Sequence, residues 1–212
     1  GPPARPDPII LNAIKNPVNI PLSKAKYVVL DLETTGLSCR YDKIIEFGAV
    51  RIENGIETGR LDILINPGIK ISSKISNLTH ITNEMVKNQP TIDEAFPQIL
   101  EFMKDAILVT HNADFDISFL QEELKNSGRE QLTNPVIDTL ALAWYLFPKQ
   151  RAHNLGALCR NFEVNYDPEV AHRADYDAAV LNEAWQPMIV LLNKEIPNIT
   201  HAQLADLKVT QE

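Results

Sequence analysis

Three apolar runs restrict this chain to a fold that contains a β-sheet. YVVLDLE at 27–33 is rich in β-branched residues, IIEFGAVRI at 44–52 alternates in polarity, and IETGRLDILI at 56–65 returns after Asn54-Gly55. An Asn-Gly pair between two such runs is typical of a tight β-hairpin. We therefore predict an antiparallel meander of three strands.

After residue 90 the pattern changes to helices that alternate with short apolar strands. Thr91 and Glu94 form a capping-box pattern at the start of a helix whose apolar residues recur every three or four positions. Two further strands and four further helices are predicted: strands at 107–111 and 135–138, and helices at 114–128, 139–147, 153–162 and about 174–195. Strands alternating with helices after a meander predict an α/β fold, a mixed five-stranded sheet with helices on both faces.

The composition excludes some classes of protein. A net charge of −8 argues against a protein that holds nucleic acid mainly through a broad basic surface. The 212 residues contain no apolar run of about 18 residues and no N-terminal secretory pattern. Cys39 and Cys159 lack metal-type spacing, which favours reduced thiols in a cytoplasmic protein over a disulfide.

The ends of the chain differ in pattern from its middle. Residues 1–25 show no sustained period, and we interpret them as a lead-in whose first residues, Gly1-Pro2, resemble the scar of a removed tag. We expect a folded domain at residues 26–195 and a C-terminal flanking segment at residues 196–212. This division predicts a piece of a longer protein.

Two stretches, HNADFD at 111–116 and HRADYD at 172–177, repeat one arrangement of a histidine and two aspartates. Helical phase separates the aspartates of the second stretch, because Asp175 falls on the polar side and Asp177 heads an apolar row. That row contains Leu181, Ala184, Met188 and Leu191. A carboxylate that points into a core needs a partner, which could be a cation, a buried arginine or a backbone cap.

The first stretch sorts in the same way, although less sharply. Asp116 lies nearer the apolar side of its helix, whereas Asp114 is better interpreted as a first-turn or N-cap acid. The second aspartate of each stretch is therefore the candidate for a functional site.

DLETTG at 31–36 adds two acids at the end of the first strand. Residues two apart on a strand share a face, so Asp31 and Glu33 present both carboxylates on one side. The spacing alone is weak evidence, since Asp167 and Glu169 repeat it in a loop-like stretch. The position at a strand end favours the first pair, because sites of α/β folds lie at such edges.

Four acids are thus candidates for one site: Asp31, Glu33, Asp116 and Asp177. Packed together without a cation, they would repel and raise one another's pKa. Two divalent cations about 4 Å apart would neutralise them and create a phosphoryl-transfer site. Carboxylate and water ligands suit Mg²⁺ or Mn²⁺ rather than Zn²⁺.

These motifs resemble those of the DEDDh superfamily of 3′→5′ exonucleases, which have an RNase H-like fold. DLETTG corresponds to the first motif, HNADFD to the second and HRADYD to the third, and the likeness covers roughly residues 26–195. The resemblance implies that His172 is the general base. It implies that the metal ligands are Asp31, Glu33, Asp116 and Asp177. It further implies that the terminal nucleotide is contacted by Thr34, Thr35, Leu37 and Leu78.

Within this superfamily the chain looks most like the proofreading exonuclease domain of PolC-type bacterial DNA polymerase III. The supporting stretches are YVVLDLETTGL, IIEFGAVRIENG, LTHITNEMV, HRADYDAAV and NITHAQL. This likeness implies two divalent cations and hydrolysis of single-stranded or frayed DNA 3′ ends to nucleoside 5′-monophosphates. The implied partners are the rest of a polymerase chain and other replisome components. His80 departs from the usual glycine, which leaves the geometry of its turn open.

Other functions stay open on the sequence alone. An RNA exonuclease of the same superfamily or a stand-alone DNA repair nuclease would carry the same motifs. A non-catalytic scaffolding module is disfavoured, because all five motif positions hold the expected residues.

The remaining histidines have weaker signals. His111 has the offset to its aspartate that His172 has, but it ends a buried strand, so we expect it to support the start of the following helix. His153, near Lys149 and Arg151, is interpreted either as part of a basic cluster that contacts a nucleic-acid backbone or as part of a solvated loop.

Overall fold

The computed structural model describes residues 16–207, and its sheet opens with the predicted meander. Strands β1 (Tyr27–Thr34), β2 (Ile44–Glu53) and β3 (Ile56–Leu64) pair antiparallel in that order. Asn54 and Gly55 have positive φ angles of 52° and 74°, as a two-residue type I′ hairpin turn requires. The meander is therefore confirmed.

The remaining strands complete a mixed five-stranded sheet. β4 (Ile107–Thr110) pairs parallel with β1, and β5 (Val136–Asp138) pairs parallel with β4. The strand order is β3-β2-β1-β4-β5, so the predicted fold class is confirmed. Because β1, β4 and β5 run in the same direction, their carboxyl ends lie at one edge of the sheet, where α/β folds build their sites.

Eight α-helices accompany the sheet in the described part of the chain. They are α1 (Ser73–Thr79), α2 (Asn83–Val86), α3 (Ile92–Met103), α4 (Ala113–Asn126), α5 (Thr139–Leu146), α6 (Leu155–Asn161), α7 (Ala174–Glu195) and α8 (His201–Leu204). The capping box of Thr91 and Glu94 is present at the start of α3, as predicted. The sequence did not predict α1, α2 and α8, because helices of four to seven residues are too short to display a helical period.

The two faces of the sheet bury separate apolar cores. Alternate residues of β1 point to opposite faces, so that Val29 joins the core containing Trp185 of α7, and Leu30 joins the core containing Phe96 of α3. Helices thus cover both faces, as predicted. Asp31 lies two residues after Val29 and therefore points to the face covered by α7.

His80 adopts a backbone conformation that glycine favours. It ends α1 with φ 61° and ψ 16°, and its N–H donates to the carbonyl of Ser76 at 2.8 Å. A side chain is sterically disfavoured in this left-handed region. The turn nevertheless adopts the left-handed geometry, with His80 in the place where the resemblance led us to expect glycine.

The segments that flank the predicted domain pack against each other and against its core. Pro21 bridges to Thr200, and the N–H of Leu22 donates to the carbonyl of Ile199 at 2.8 Å. Both Leu22 and Ile199 are fully buried. The domain boundaries stay a prediction, and Gly1-Pro2 lies outside the described residues.

The described residues contain neither a disulfide nor a membrane-spanning helix. Cys39 and Cys159 are both free thiols, as predicted. From residue 16 to residue 207, no helix has the length and apolar character needed to cross a bilayer.

Candidate active site

Three carboxylates from two elements meet at the carboxyl end of β1. Asp31 and Glu33 point from β1 to the face that α7 covers, and Asp177 comes from the first turns of α7. One oxygen from each of these three residues lies within 4.8 Å of the other two. Residues that are 144 positions apart along the chain therefore form one acidic cluster.

The environment of this cluster disfavours negative charge. Burial raises the pKa of Asp31 well above its usual range, and the nearby charge of Glu33 raises it further. Burial raises the pKa of Glu33 to about 9, with a further contribution from the charge of Asp177. Within the protein, Oδ2 of Asp31 is buried and has no hydrogen-bond partner. An unpaired buried oxygen between like-charged neighbours is what an oxygen-preferring divalent cation would satisfy, so these residues fit a metal.

Asp116 lies beside this cluster on the first turn of α4. It is buried, and Oδ2 accepts a hydrogen bond from the hydroxyl of Thr110 at the end of β4. Burial raises its pKa to about 8 despite this hydrogen bond. Its charge also raises the pKa of Asp31, although Asp116 does not belong to the group of oxygens within 4.8 Å. The structure thus brings all four predicted acids to one region and three of them into direct proximity.

Helical phase predicted correctly which aspartates face inward. Asp116 and Asp177 are buried, whereas Asp114 and Asp175 are exposed. The apolar row that Asp177 heads is buried through Met188. A helix fixes the direction of each side chain relative to its neighbours, so this part of the site follows from the spacing of apolar residues.

The other Asp-x-Glu pair forms part of a turn. Oδ1 of Asp167 accepts the N–H of Glu169 at 2.9 Å, and Glu169 is exposed. This local hydrogen bond is the usual role of aspartate in a loop, and it agrees with our preference for Asp31 and Glu33.

Tyr166 is a neighbour of the acidic cluster that the sequence did not reveal. Its hydroxyl donates to Oδ1 of Asp177 at 2.9 Å, and its ring stacks on that of Tyr176 with centroids 5.8 Å apart. Burial raises the pKa of Asp177 to about 6, and the hydrogen bond from Tyr166 opposes this increase. Tyr166 lies in an irregular loop, where the only signal was an aromatic residue among polar ones.

The two histidines of the repeated stretches have different surroundings. His172 is exposed and directly precedes α7, and its backbone has a φ of 66°. Its N–H donates to Oδ1 of Asp177 at 3.2 Å. In the part of the chain that the structure describes, no residue forms a hydrogen bond with the His172 ring. The ring is therefore free to meet a ligand beside the acidic cluster.

His111, in contrast, is held by the protein on both sides of its ring. Nδ1 lies 2.9 Å from the hydroxyl of Thr139, and Nε2 lies 2.7 Å from the carbonyl of His153. Burial lowers the pKa of His111 to about 4, so the ring is neutral near pH 7. These contacts give the ring a structural role, but they hold it to the start of α5 and to the loop before α6, not to the start of α4 as we predicted.

Both interpretations of His153, as part of an exposed basic cluster and as part of a solvated loop, are wrong. Its side chain is buried, stacks on Trp144 with centroids 3.6 Å apart, and places Nε2 2.7 Å from the carbonyl of Phe147. Lys149 and Arg151 are exposed without it. The imidazole of His153 packs on an aromatic ring that is distant along the sequence, and the charges of its sequence neighbours could not predict this contact.

The predicted substrate residues lie at the end of β1, on the turn that follows it and near the end of α1. The hydroxyl of Thr34 donates to the carbonyl of Gly36 at 2.6 Å, and that of Thr35 donates to Asp42 at 3.0 Å. These bonds fix the turn after β1, on which Leu37 is 84% exposed. Leu78, at the end of α1, is 48% exposed. Both leucines are thus available to a ligand without unfolding any part of the domain.

A protein-family model described as Exonuclease matches residues 28–184. Among proteins of known sequence, a DNA polymerase III PolC-type from Ureaplasma parvum is 44% identical over 169 residues, which are 79% of this chain and 12% of that protein. A PolC-type polymerase III from Halalkalibacterium halodurans is 38% identical over 192 residues, 90% of this chain and 13% of that protein. The chain thus spans about an eighth of the length of these relatives.

Solved structures agree with the sequence comparison. Exonuclease X, solved in complex with 5′ overhanging duplex DNA, superposes with a TM-score of 0.66 at 26% identity and covers 85% of this chain and 98% of that one. The nuclease domain of 3′hExo, a DEDDh family member bound to rAMP, gives a TM-score of 0.68 at 17% identity, with 89% and 98% coverage. The second similarity demonstrates a shared fold.

Proposed function

Because this chain belongs to the exonuclease family, we propose that it hydrolyses DNA from the 3′ end and releases nucleoside 5′-monophosphates. The observation that supports this most directly is the convergence of Asp31, Glu33 and Asp177 within 4.8 Å, with His172 directly hydrogen bonded to the last of them through its backbone. Buried and half-buried acids beside an exposed imidazole are suited to hydrolysis of a phosphodiester.

We assign the metal-binding role to Asp31, Glu33, Asp116 and Asp177, and the proposed cofactors are two divalent cations, Mg²⁺ or Mn²⁺. Bound there, they would supply activation of water and neutralise charge on the scissile phosphate and the leaving 3′ oxygen. The carboxylates contribute by their position and by the negative charge that a bound cation would neutralise. Tyr166 contributes by orienting Asp177 through its hydroxyl.

His172 is the proposed general base. An imidazole takes up a proton near neutral pH, and an exposed ring next to the acids can accept one from the attacking water. The terminal nucleotide would lie against Thr34, Thr35, Leu37 and Leu78. By the likeness to proofreading exonuclease domains, a single-stranded or frayed end would enter and a paired end would not.

The proposed biological role is proofreading for a replicative DNA polymerase III in the cytoplasm. Its support is the similarity to PolC-type polymerases of two bacteria, across most of this chain. In this proposal the domain at residues 26–195 acts next to the rest of a polymerase chain and other replisome components. A preference for mismatched over matched ends is the property that separates this role from that of a general nuclease.

A single digestion experiment tests polarity, substrate and role. Identical DNA oligonucleotides labelled at the 5′ or the 3′ end, with a matched or a mismatched 3′ terminus, are incubated with the protein in Mg²⁺ or EDTA. We expect a descending ladder from the 5′ label, immediate release of a labelled mononucleotide from the 3′ label, and faster cleavage of mismatched ends. Equal or faster degradation of the corresponding RNA would favour the RNA exonuclease instead.

Substitutions test the assignment of residues. His172→Ala should leave Mn²⁺ binding near normal and lower turnover by roughly 10²–10⁴-fold. Asp31→Ala and Asp177→Ala should each abolish activity. Glu169→Ala is the matched control, because it removes an exposed acid from the other Asp-x-Glu pair and should leave activity unchanged. An Asp31→Ala protein that retains metal-dependent nuclease activity would contradict the assignment of Asp31 as a metal ligand.

A further inference from the structure

Glu46 on β2 is a fully buried acid whose two oxygens are both used by the chain around His172. Its neighbour across the sheet is Glu33 on β1. Oε1 accepts the Nε of Arg173 at 3.1 Å, and Oε2 accepts the Nη2 of Arg173 at 2.8 Å. Oε1 also accepts the backbone N–H of Ala174 at 2.7 Å. These partners are the two residues that follow His172.

These hydrogen bonds replace an ordinary helix cap. Arg173 is the N-cap residue of α7, and its own side chain makes no capping hydrogen bond. The carboxylate of Glu46 performs this role from a neighbouring strand, since it binds the first N–H of the helix and places negative charge at the helix N-terminus. The start of α7 is thereby fixed to the same sheet that carries Asp31 and Glu33.

The backbone of His172 requires such fixing. Its φ of 66° lies in the left-handed region, which a residue with a Cβ occupies only when its surroundings impose it. On one side the N–H of His172 is bound by Asp177, and on the other side Arg173 and Ala174 are bound by Glu46. This backbone sets the direction of the Cα–Cβ bond of His172 and thus the region that its ring can reach.

Stability alone does not explain this pair, because a buried ion pair often stabilises a fold no better than apolar residues of the same size. What a bidentate Arg–carboxylate pair provides better than apolar contact is a defined orientation.

We propose that Glu46 and Arg173 are positioning residues that hold His172 in the orientation needed to accept a proton. This inference rests on the proposed function of His172 as the general base. Neither residue contacts the substrate in this scheme. Loss of the pair would let the His172 backbone relax, and a displacement of about 1 Å at a reacting group can lower a rate by about 100-fold.

The competing role for Arg173 is contact with a DNA phosphate, because 27% of its side chain is exposed. The two roles differ in steady-state kinetics. A positioning role lowers kcat with little change in KM, whereas loss of a phosphate contact raises KM. They also differ in their dependence on His172.

The test combines Arg173→Ala and Arg173→Lys with His172→Ala in the full 212-residue chain, assayed on a mismatched DNA end in Mn²⁺. With His172 present, Arg173→Ala should lower kcat by about 10- to 100-fold and change KM by no more than about twofold. Arg173→Lys keeps the charge but loses the bidentate geometry, so its kcat should lie between that of the wild type and that of Arg173→Ala. In the His172→Ala background, Arg173→Ala should lower kcat no further, because both residues act on one step.

Arg129→Ala is the matched control, since Arg129 also pairs with a carboxylate at 3.0 Å and its side chain is 33% exposed, but it lies away from α7. It should leave kcat unchanged. Mn²⁺ affinity, measured by calorimetry, should be the same in the wild type and in Arg173→Ala. Glu46→Gln should reproduce the loss in kcat; if it fails to fold, the Arg173 variants still decide.

Three results would overturn the inference: full activity of Arg173→Ala, an increase in KM alone, or an equal loss of kcat in the His172→Ala background. Full activity of His172→Ala is a different result, because it would overturn the proposed general base itself.

Discussion

Gly48 on β2 lies directly beneath Ala174, the first residue of α7. A Cβ atom built on Gly48 would lie 2.3 Å from the carbonyl carbon of Ala174 and 2.3 Å from the backbone nitrogen of Asp175. These are backbone atoms, which cannot rotate away as a side chain can. Since Gly48 is also paired across the sheet with Asp31, the missing side chain is what lets α7 bring Asp177 to the acids of β1.

Gly48→Ala should therefore damage both fold and site. We expect α7 to be displaced, with a loss of about 1–3 kcal/mol in the free energy of unfolding from overpacking and a large loss of metal-dependent nuclease activity. Chemical denaturation and a nuclease assay measure the two effects. Gly59→Ala is the control, because its Cβ would meet only the Phe102 ring, at 3.3 Å, and that ring can shift. Similar losses of stability and activity in Gly48→Ala and Gly59→Ala would contradict the role of Gly48 in positioning α7.

The metal-free protein should become less stable as the pH rises from about 7 to about 9. Burial raises the pKa of Glu33 to about 9 and that of Asp116 to about 8, so the folded state holds protons that the unfolded chain has released. The free energy of unfolding then falls as the pH rises through these values. His111 and His201, whose pKa values burial lowers, titrate below this window.

Denaturation in EDTA at several pH values measures this slope. Glu33→Gln should make this slope shallower, because an amide does not titrate, while Asp116 and Asp62, whose pKa values burial raises to about 8, still do. Bound Mn²⁺ should reverse the slope of the free energy of unfolding against pH, because a cation favours the ionised carboxylates. A metal-free protein whose stability is constant or rises over this window would contradict the pKa shifts.

Tyr166→Phe should weaken metal binding without removing a proposed ligand. The hydroxyl of Tyr166 orients Asp177 and partly offsets the effect of burial on its pKa. Loss of such a supporting hydrogen bond typically lowers metal affinity by about 10- to 100-fold, which an Mn²⁺ titration measures. Tyr176→Phe is a matched control on the stacked ring, because its hydroxyl bonds to the N–H of Asp167 rather than to a proposed ligand. Its Mn²⁺ affinity should stay at the wild-type value.

His111→Ala should have the opposite profile from the proposed effect of His172→Ala. It removes the partner of the His153 carbonyl and one of the two partners of the Thr139 hydroxyl, which still donates to the Thr110 carbonyl. The expected cost is about 1–3 kcal/mol in the free energy of unfolding. Turnover per folded molecule should stay close to normal, as active-site titration below the melting temperature would show. A stable His111→Ala protein with low turnover would instead give His111 a direct catalytic role.

Leu37→Ala should lower kcat/KM on DNA and leave the fold intact. Because Leu37 is 84% exposed, truncation of its side chain should change the free energy of unfolding by no more than about 0.5 kcal/mol. Loss of its contact with the terminal nucleotide should lower kcat/KM by about tenfold, or about 1.4 kcal/mol. Ile56→Ala is the control. Ile56 is 66% exposed at the start of β3, next to the β2–β3 turn, and its substitution should leave the kinetics at the wild-type values.

Regular elements made much of this molecule predictable from its sequence. The meander followed from polarity and one Asn-Gly pair, and the inward direction of Asp177 followed from the phase of α7. Each prediction used a fixed geometric period, which relates position along the chain to direction in space. The pairing of these elements into one metal-type site followed from the likeness to known motifs.

What the sequence did not reveal lies in loops and in long-range pairs. Tyr166 reaches Asp177 from an irregular segment in which no period fixes a side chain. Glu46 is separated from Arg173 by 127 positions, so nothing local marks it as a buried partner of that residue. His153 was misinterpreted because its neighbours in sequence are basic, whereas its neighbour in space is the ring of Trp144.

The backbone contact between Leu22 and Ile199 also has a topological consequence. Because the chain enters and leaves the core through adjacent, hydrogen-bonded segments, the path between them is nearly a closed ring. A circular permutant could join these segments through a short linker and open new termini at the exposed Asn54-Gly55 turn. In the permutant Asp31, Glu33, Asp116 and Asp177 would keep their places, since their arrangement depends on contacts within the folded domain and not on the point at which the chain begins.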